Sequence, residues 1–288
     1  MMKTLSQVEP RTAISSAPLT ISDAGSYYLT TNITVDMGDA ISIVANNVTL
    51  DLNGFTISST ATNADGSAVV FVGNSPSDIQ ILNGFITGGV TNNAGVYSGT
   101  GFAYGITYEG NAPANARVSG VSVSGCLYGG ILLGTVDSST VESCTVRVVG
   151  SYGISARTVS RCIADQCGTT AISAISADNC YGSAIGFGEY GVYAFNAQNC
   201  YGSCLNGTGV YAVGIAQNCY GAASSGTVGV SALIAQNCYG LGGTYGLVGA
   251  EIAVGCYGHS DTGIALVAYV ANSCVGSPQS IAYKYNMP

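Results

Sequence analysis

The chain has 288 residues, of which 8% are charged and 47% hydrophobic, with 41 glycines, no tryptophan and a formal net charge of −8. So apolar a composition excludes a disordered chain, and the acidic balance with scattered Lys and Arg argues against nucleic acid as a partner. Gly, Ser, Asn and Gln interrupt every apolar stretch short of the roughly 18 residues that a membrane-spanning helix needs, so no membrane insertion is expected.

In chain order, residues 1–24 read as a lead-in and cap. Met1-Met2-Lys3 and Thr4-Leu5-Ser6-Gln7-Val8-Glu9-Pro10 lack the apolar core of a secretory signal. Two expectations follow: a cytoplasmic protein, or an extracellular or cell-surface protein whose export signal lies outside this sequence. Gly25-Ser26-Tyr27-Tyr28-Leu29-Thr30-Thr31-Asn32-Ile33-Thr34-Val35 reads as the first strands. Asn47-Val48-Thr49-Leu50-Asp51-Leu52-Asn53-Gly54-Phe55-Thr56-Ile57 is echoed by Asp78-Ile79-Gln80-Ile81-Leu82-Asn83-Gly84-Phe85-Ile86. Both alternate apolar and polar residues at the period of a half-buried strand and turn at Asn-Gly.

The second half repeats more tightly. Cys126, Cys144, Cys162, Cys180, Cys200, Cys219, Cys238, Cys256 and Cys274 are separated by 18, 18, 18, 20, 19, 19, 18 and 18 residues. A Gly-aliphatic step accompanies them at Gly105-Ile106, Gly130-Ile131, Gly153-Ile154, Gly191-Val192, Gly209-Val210, Gly229-Val230, Gly246-Leu247 and Gly263-Ile264, with Ala171-Ile172 filling the gap. Asn179, Asn199, Asn218 and Asn237 precede the cysteine and suit the left-handed conformation of a sharp corner. This repeat is too short for helical-repeat units, and its Gly and β-branched content favours strands. The expectation is all-β: a single right-handed parallel β-helix over residues 25–280, with coils of about 18–20 residues and inward Cys and aliphatic ladders. A strand and tail over 281–288 would close it, with Lys284 and Pro288 blunting the last edge.

On the Gly-Ile/Val strand, the Asn corner and the Asn47 to Ile57 segment, the chain resembles the right-handed parallel β-helix repeat proteins of the pectate-lyase-like superfamily. Glu9-Pro10-Arg11-Thr12 with Gly25-Ser26-Tyr27-Tyr28-Leu29 resembles the opening of secreted bacterial members. The resemblance implies the fold and a range of roles from pectin degradation to adhesion, not one chemistry.

The cysteines are expected to face inward as thiols, since in-register parallel side chains rarely reach disulfide torsions. Cys167 and Cys204 fall outside the ladder and are expected in loops as the more reactive pair. Tyr181, Tyr201, Tyr220, Tyr239 and Tyr257 follow the ladder as an outward aromatic stack, read as structural stacking, a sugar platform or a subunit contact. Tyr193 and Tyr211 form a smaller outward pair. A catalytic site on this fold would need paired carboxylates about 5 to 9.5 Å apart, or clustered acids for calcium with an Arg or Lys base. The densest charge is at Glu109, Asp137 and Glu142 with Arg117, Arg147, Arg157 and Arg161, which also reads as an ordinary solvated surface. The lone His259 lacks the companion motifs of polygalacturonases. No metal site or cofactor is expected; calcium would enter only with lyase chemistry. The reading is therefore a non-catalytic surface or extracellular scaffold, glycan-binding or adhesive, with polysaccharide as the candidate partner and a homotrimer as the candidate assembly. The alternative is a polysaccharide lyase or glycoside hydrolase.

Overall fold

A computed structural model describes residues 11–136, 138–185 and 189–287. Among the described residues every regular element is a strand; 28 strands join one wound sheet and two form a separate hairpin. The chain is a right-handed parallel β-helix. Each coil crosses three faces, here called A, B and C. In one regular coil Tyr220–Ala223 lies on face B, and Val228–Gln236 covers face C with its first residues and face A with its last.

Strand formation follows the alternation seen in the sequence. Ile79–Thr87 alternates buried and open residues, with Ile79, Ile81 and Ile86 fully buried, because successive side chains of a strand point to opposite sides. Between faces A and B the backbone turns on one residue in the left-handed region. Asn83, Ser143, Arg161, Asn179, Asn199, Asn218, Asn237 and Ser273 have φ from 50° to 54° there, and Gly120 and Gly255 have 65° and 61°. The Asn side chains add their own ladder: Asn218 Nδ2 donates to Asn199 Oδ1 (3.1 Å), and Asn237 Nδ2 to Asn218 Oδ1 (3.3 Å).

The register corrects several readings of the repeat. Ser122 pairs with Thr145, so Val121 and not Cys126 stands at the level of Cys144. The main ladder thus runs from Cys144 to Cys274, and the 18-residue gap from Cys126 is coincidental. Cys126 instead opens a second inward column with Val149, Cys167, Ala184 and Cys204. Cys167 and Cys204 end strands, are buried, and are not loop thiols. Leu266, not Ile264, continues the aliphatic column, with Ala265 in the glycine position. All eleven cysteines are free and buried.

The boundaries also move. Thr12–Ile14 already pairs with residues 27–29, and Leu19–Ile21 with Ile41–Ile43, so the first coil begins before Gly25. Gln279–Tyr285 forms the last strand on face C and face A. On face A steps of 18 to 20 residues hold only from Thr140 to Asn272; the last step, from Val270 to Tyr283, is 13 residues. Earlier, Gln80 pairs with Arg117, 37 residues on, because the Gly89–Asn93 and Val96–Thr100 hairpin is inserted there. The Tyr97 hydroxyl latches that hairpin to the Gln166 carbonyl at 2.8 Å.

The core is filled in two ways. Both fully buried phenylalanines, Phe71 and Phe102, and most of the fully buried Ile and Leu side chains precede residue 103; Ile106, Ile131, Leu133, Ile154 and Ile172 follow, and beyond Tyr181 only Leu247 and Leu266 remain among the described residues. From Tyr181 on, faces B and C approach backbone to backbone over two glycine columns. A Cβ on Gly221 would lie 2.0 Å from the Gly229 carbonyl oxygen, and one on Gly202 2.1 Å from that of Gly209.

Candidate functional site

Two tyrosine arrays face solvent, and their geometries differ. On face B, Tyr181, Tyr201, Tyr220, Tyr239 and Tyr257 occupy one register column. Their ring centroids are 5.1, 5.0, 5.1 and 4.5 Å apart, with interplanar angles of 8°, 5°, 3° and 14°. Parallel strands repeat about every 4.8 Å, which is why identical residues in one column stack. Each inner ring therefore has a neighbour on both faces and offers solvent chiefly its edge and hydroxyl. Burial and the neighbouring Tyr201 and Tyr239 phenols raise the Tyr220 hydroxyl above its ordinary pKa near 10.

Face C carries the second array, in a groove. One cleft of about 510 Å³ is lined by Tyr104, Tyr108, Glu109, Leu132, Tyr152 and Ser155 among others. Tyr152 also lines the next cleft, of about 300 Å³, with Thr170, Ser173, Glu189, Tyr190 and Tyr193. The rings here are mostly tilted: Tyr104 and Tyr128 lie 5.5 Å apart at 43°, Tyr190 and Tyr193 5.1 Å apart at 50°. Tyr193 and Tyr211 stack at 5.6 Å and 3°, with Tyr190 angled at 52° to Tyr211. Burial, then Glu189, raises the Tyr190 hydroxyl pKa.

The positions follow from the coil. Tyr104, Tyr152 and Tyr190 share one column, immediately before the Gly-aliphatic step whose apolar member turns inward. The expected sites singled out neither Tyr104, Tyr108, Tyr152 nor Tyr190. The signal is present as Tyr-Gly at Tyr104-Gly105, Tyr152-Gly153, Tyr190-Gly191 and Tyr245-Gly246, hidden because the other Gly-aliphatic steps carry a different residue before the glycine.

The charged cluster anticipated from the sequence is not brought together. Glu109 lies on face C in Tyr104–Gly110, whereas Glu142 ends the face A strand Thr140–Glu142 and pairs with Arg161. Asp137 lies outside the described residues. Arg147 pairs with Asp165 on face B at 3.2 Å, and Arg157 donates to the Val136 carbonyl at 3.2 Å. Glu109 and Glu189 share the groove, but four coil steps separate their strands. At about 4.8 Å per step that is roughly 19 Å or more, beyond the spacing of a glycosidase carboxylate pair. Among the described residues no three His, Cys, Asp or Glu side chains are grouped to hold a metal ion. His259 lies 3.5 Å from Asp261, both exposed.

No protein-family model matches the chain, and no curated protein matches it. Solved structures of similar fold include the Geobacillus virus E2 ORF18 protein, at TM-score 0.44 and 12% identity over 92% of this chain and 53% of that one. The GH136 lacto-N-biosidase from Eubacterium ramulus matches at 0.39 and 11%, over 96% and 58%. The Dettilon tailspike protein gp208 matches at 0.41 and 15%, over 96% and 55%. The chain spans little more than half the length of each.

Proposed function

We propose that the protein is a non-catalytic, extracellular or cell-surface β-helix that binds polysaccharide in the face C groove. The observation that carries this reading is the groove itself: tilted tyrosine rings, hydroxyls of Thr107, Ser155, Thr170 and Ser173, and single carboxylates along one line of coils. Apolar ring faces with a few polar groups suit a saccharide, which has both apolar and hydroxylated surfaces. The face B ladder is assigned to stacking, since its inner rings are already covered.

Retention on a panel of plant, algal and bacterial polysaccharides tests the reading. Tyr152→Ala should weaken binding to a retained glycan about tenfold, an effect of about 1.4 kcal/mol, while Tyr220→Ala should leave it unchanged. The reverse pattern would move the site to face B. Release of new reducing ends, abolished in Glu109→Gln, would instead establish the lyase or hydrolase alternative. Self-association as a homotrimer belongs to the same proposal, and the exposed Ile215 and Ile252 on face A offer the contact; a monomeric mass by light scattering removes it.

A further inference from the structure

We infer that the face C groove selects saccharides bearing amino groups over those bearing carboxylates or sulfates. This rests on the glycan reading above. The charged residues lining the two neighbouring clefts, which share Tyr152, are Glu109 and Glu189; no Lys, Arg or His lines either. Neither carboxylate forms an ion pair among the described residues. The arginines are placed elsewhere: Arg147 pairs with Asp165 and Arg161 with Glu142, Arg157 donates to the Val136 carbonyl, Arg117 stands on face A beside Thr140, and Arg11 lies over the Tyr28 ring at 4.5 Å.

A cleft lined by charge of one sign concentrates the opposite sign and repels its own. Carboxylates form their strongest hydrogen bonds with cationic donors, and open tyrosine faces attract cations as well. Both kinds of side chain in the groove therefore favour a protonated amine. The two carboxylates stand too far apart to chelate one small ion, at roughly 19 Å or more. A chain molecule with charge repeated along its length can meet both, with its sugar rings against Tyr152 between them.

The test is calorimetric titration of the full chain at pH 5.5 and low salt with glucosamine oligosaccharide, its N-acetylated counterpart, oligogalacturonate and oligolysine. The glucosamine oligomer should bind roughly tenfold tighter than the N-acetylated one, with added salt erasing the difference. In the double variant Glu109→Gln/Glu189→Gln, whose sites are exposed, the ratio should fall toward one. Equal or tighter binding of oligogalacturonate overturns the inference and leaves the glycan reading intact. Oligolysine binding as tightly as the sugar also overturns it, since charge alone would then be read. If no saccharide binds while circular dichroism stays native, the glycan reading itself fails.

Discussion

The two ends of the solenoid solve the same problem with different materials. Before residue 103 the interior is filled by Ile, Leu and Phe side chains, with long and unequal turns outside. From Tyr181 it is filled mainly by Ala, Cys and Val, with Leu247 and Leu266 among them, and the faces meet glycine to glycine. Bulky side chains leave room for exchange among Ile, Leu and Val, because a core tolerates swaps of similar volume. A glycine-to-glycine contact has no such freedom, so each coil must repeat its predecessor. Regularity of sequence is thus a consequence of thinness.

The largest effect should come from breaking the thin end. Gly221→Ala drives a methyl into the Gly229 backbone and should destabilise by about 3 kcal/mol or more, read as a fall in the urea midpoint. At the thick end, Ile81→Ala leaves a cavity and should cost about 2–5 kcal/mol, whereas Ile81→Val should cost only about 0.5–1.5 kcal/mol. Near-wild-type stability of Gly221→Ala would abolish the contrast.

Smaller effects sharpen it. Tyr220→Ala removes two stacked contacts and should cost about 1–3 kcal/mol, at about 0.5–1.5 per aromatic pair. The raised pKa values of Tyr181 and Tyr220 mean that the folded chain holds phenolic protons more tightly than the unfolded one. That stability is fully present below pH 10 and is lost as pH rises above it. The melting temperature should therefore be flat to about pH 9 and fall beyond, less steeply in Tyr220→Phe. Last, native thiols should resist a water-soluble thiol reagent, since all 11 are buried away from it; after unfolding without reductant all 11 should react. Almost no free thiol would mean disulfides.

Much of this was legible in the sequence, for identifiable reasons. A column of Asn179, Asn199, Asn218 and Asn237 marks a corner because only a left-handed residue fits there, and the Cys-Tyr-Gly that follows fixes which side faces in. Cys126 misled because spacing alone cannot tell one inward column from another; only strand register separates them. The groove was harder to read. Its residues come from coils of unequal length, and Tyr108 and Glu109 sit in the part of Tyr104–Gly110 that pairs only with the preceding coil, at Phe71 and Val72. Glu109 and Glu142 diverge because they lie on different faces of successive coils.

The uniform junction between coils has an evolutionary consequence. Excision of residues 201–219 would join Cys200 to Tyr220 and restore the same Cys-Tyr-Gly passage, with Tyr181 meeting Tyr220 in place of Tyr201. Duplication of the same segment would lengthen the molecule by one step with no seam. In this half of the gene, slippage by one repeat unit is a length polymorphism that selection can act upon, while in the first half it would be a frame of mismatched turns.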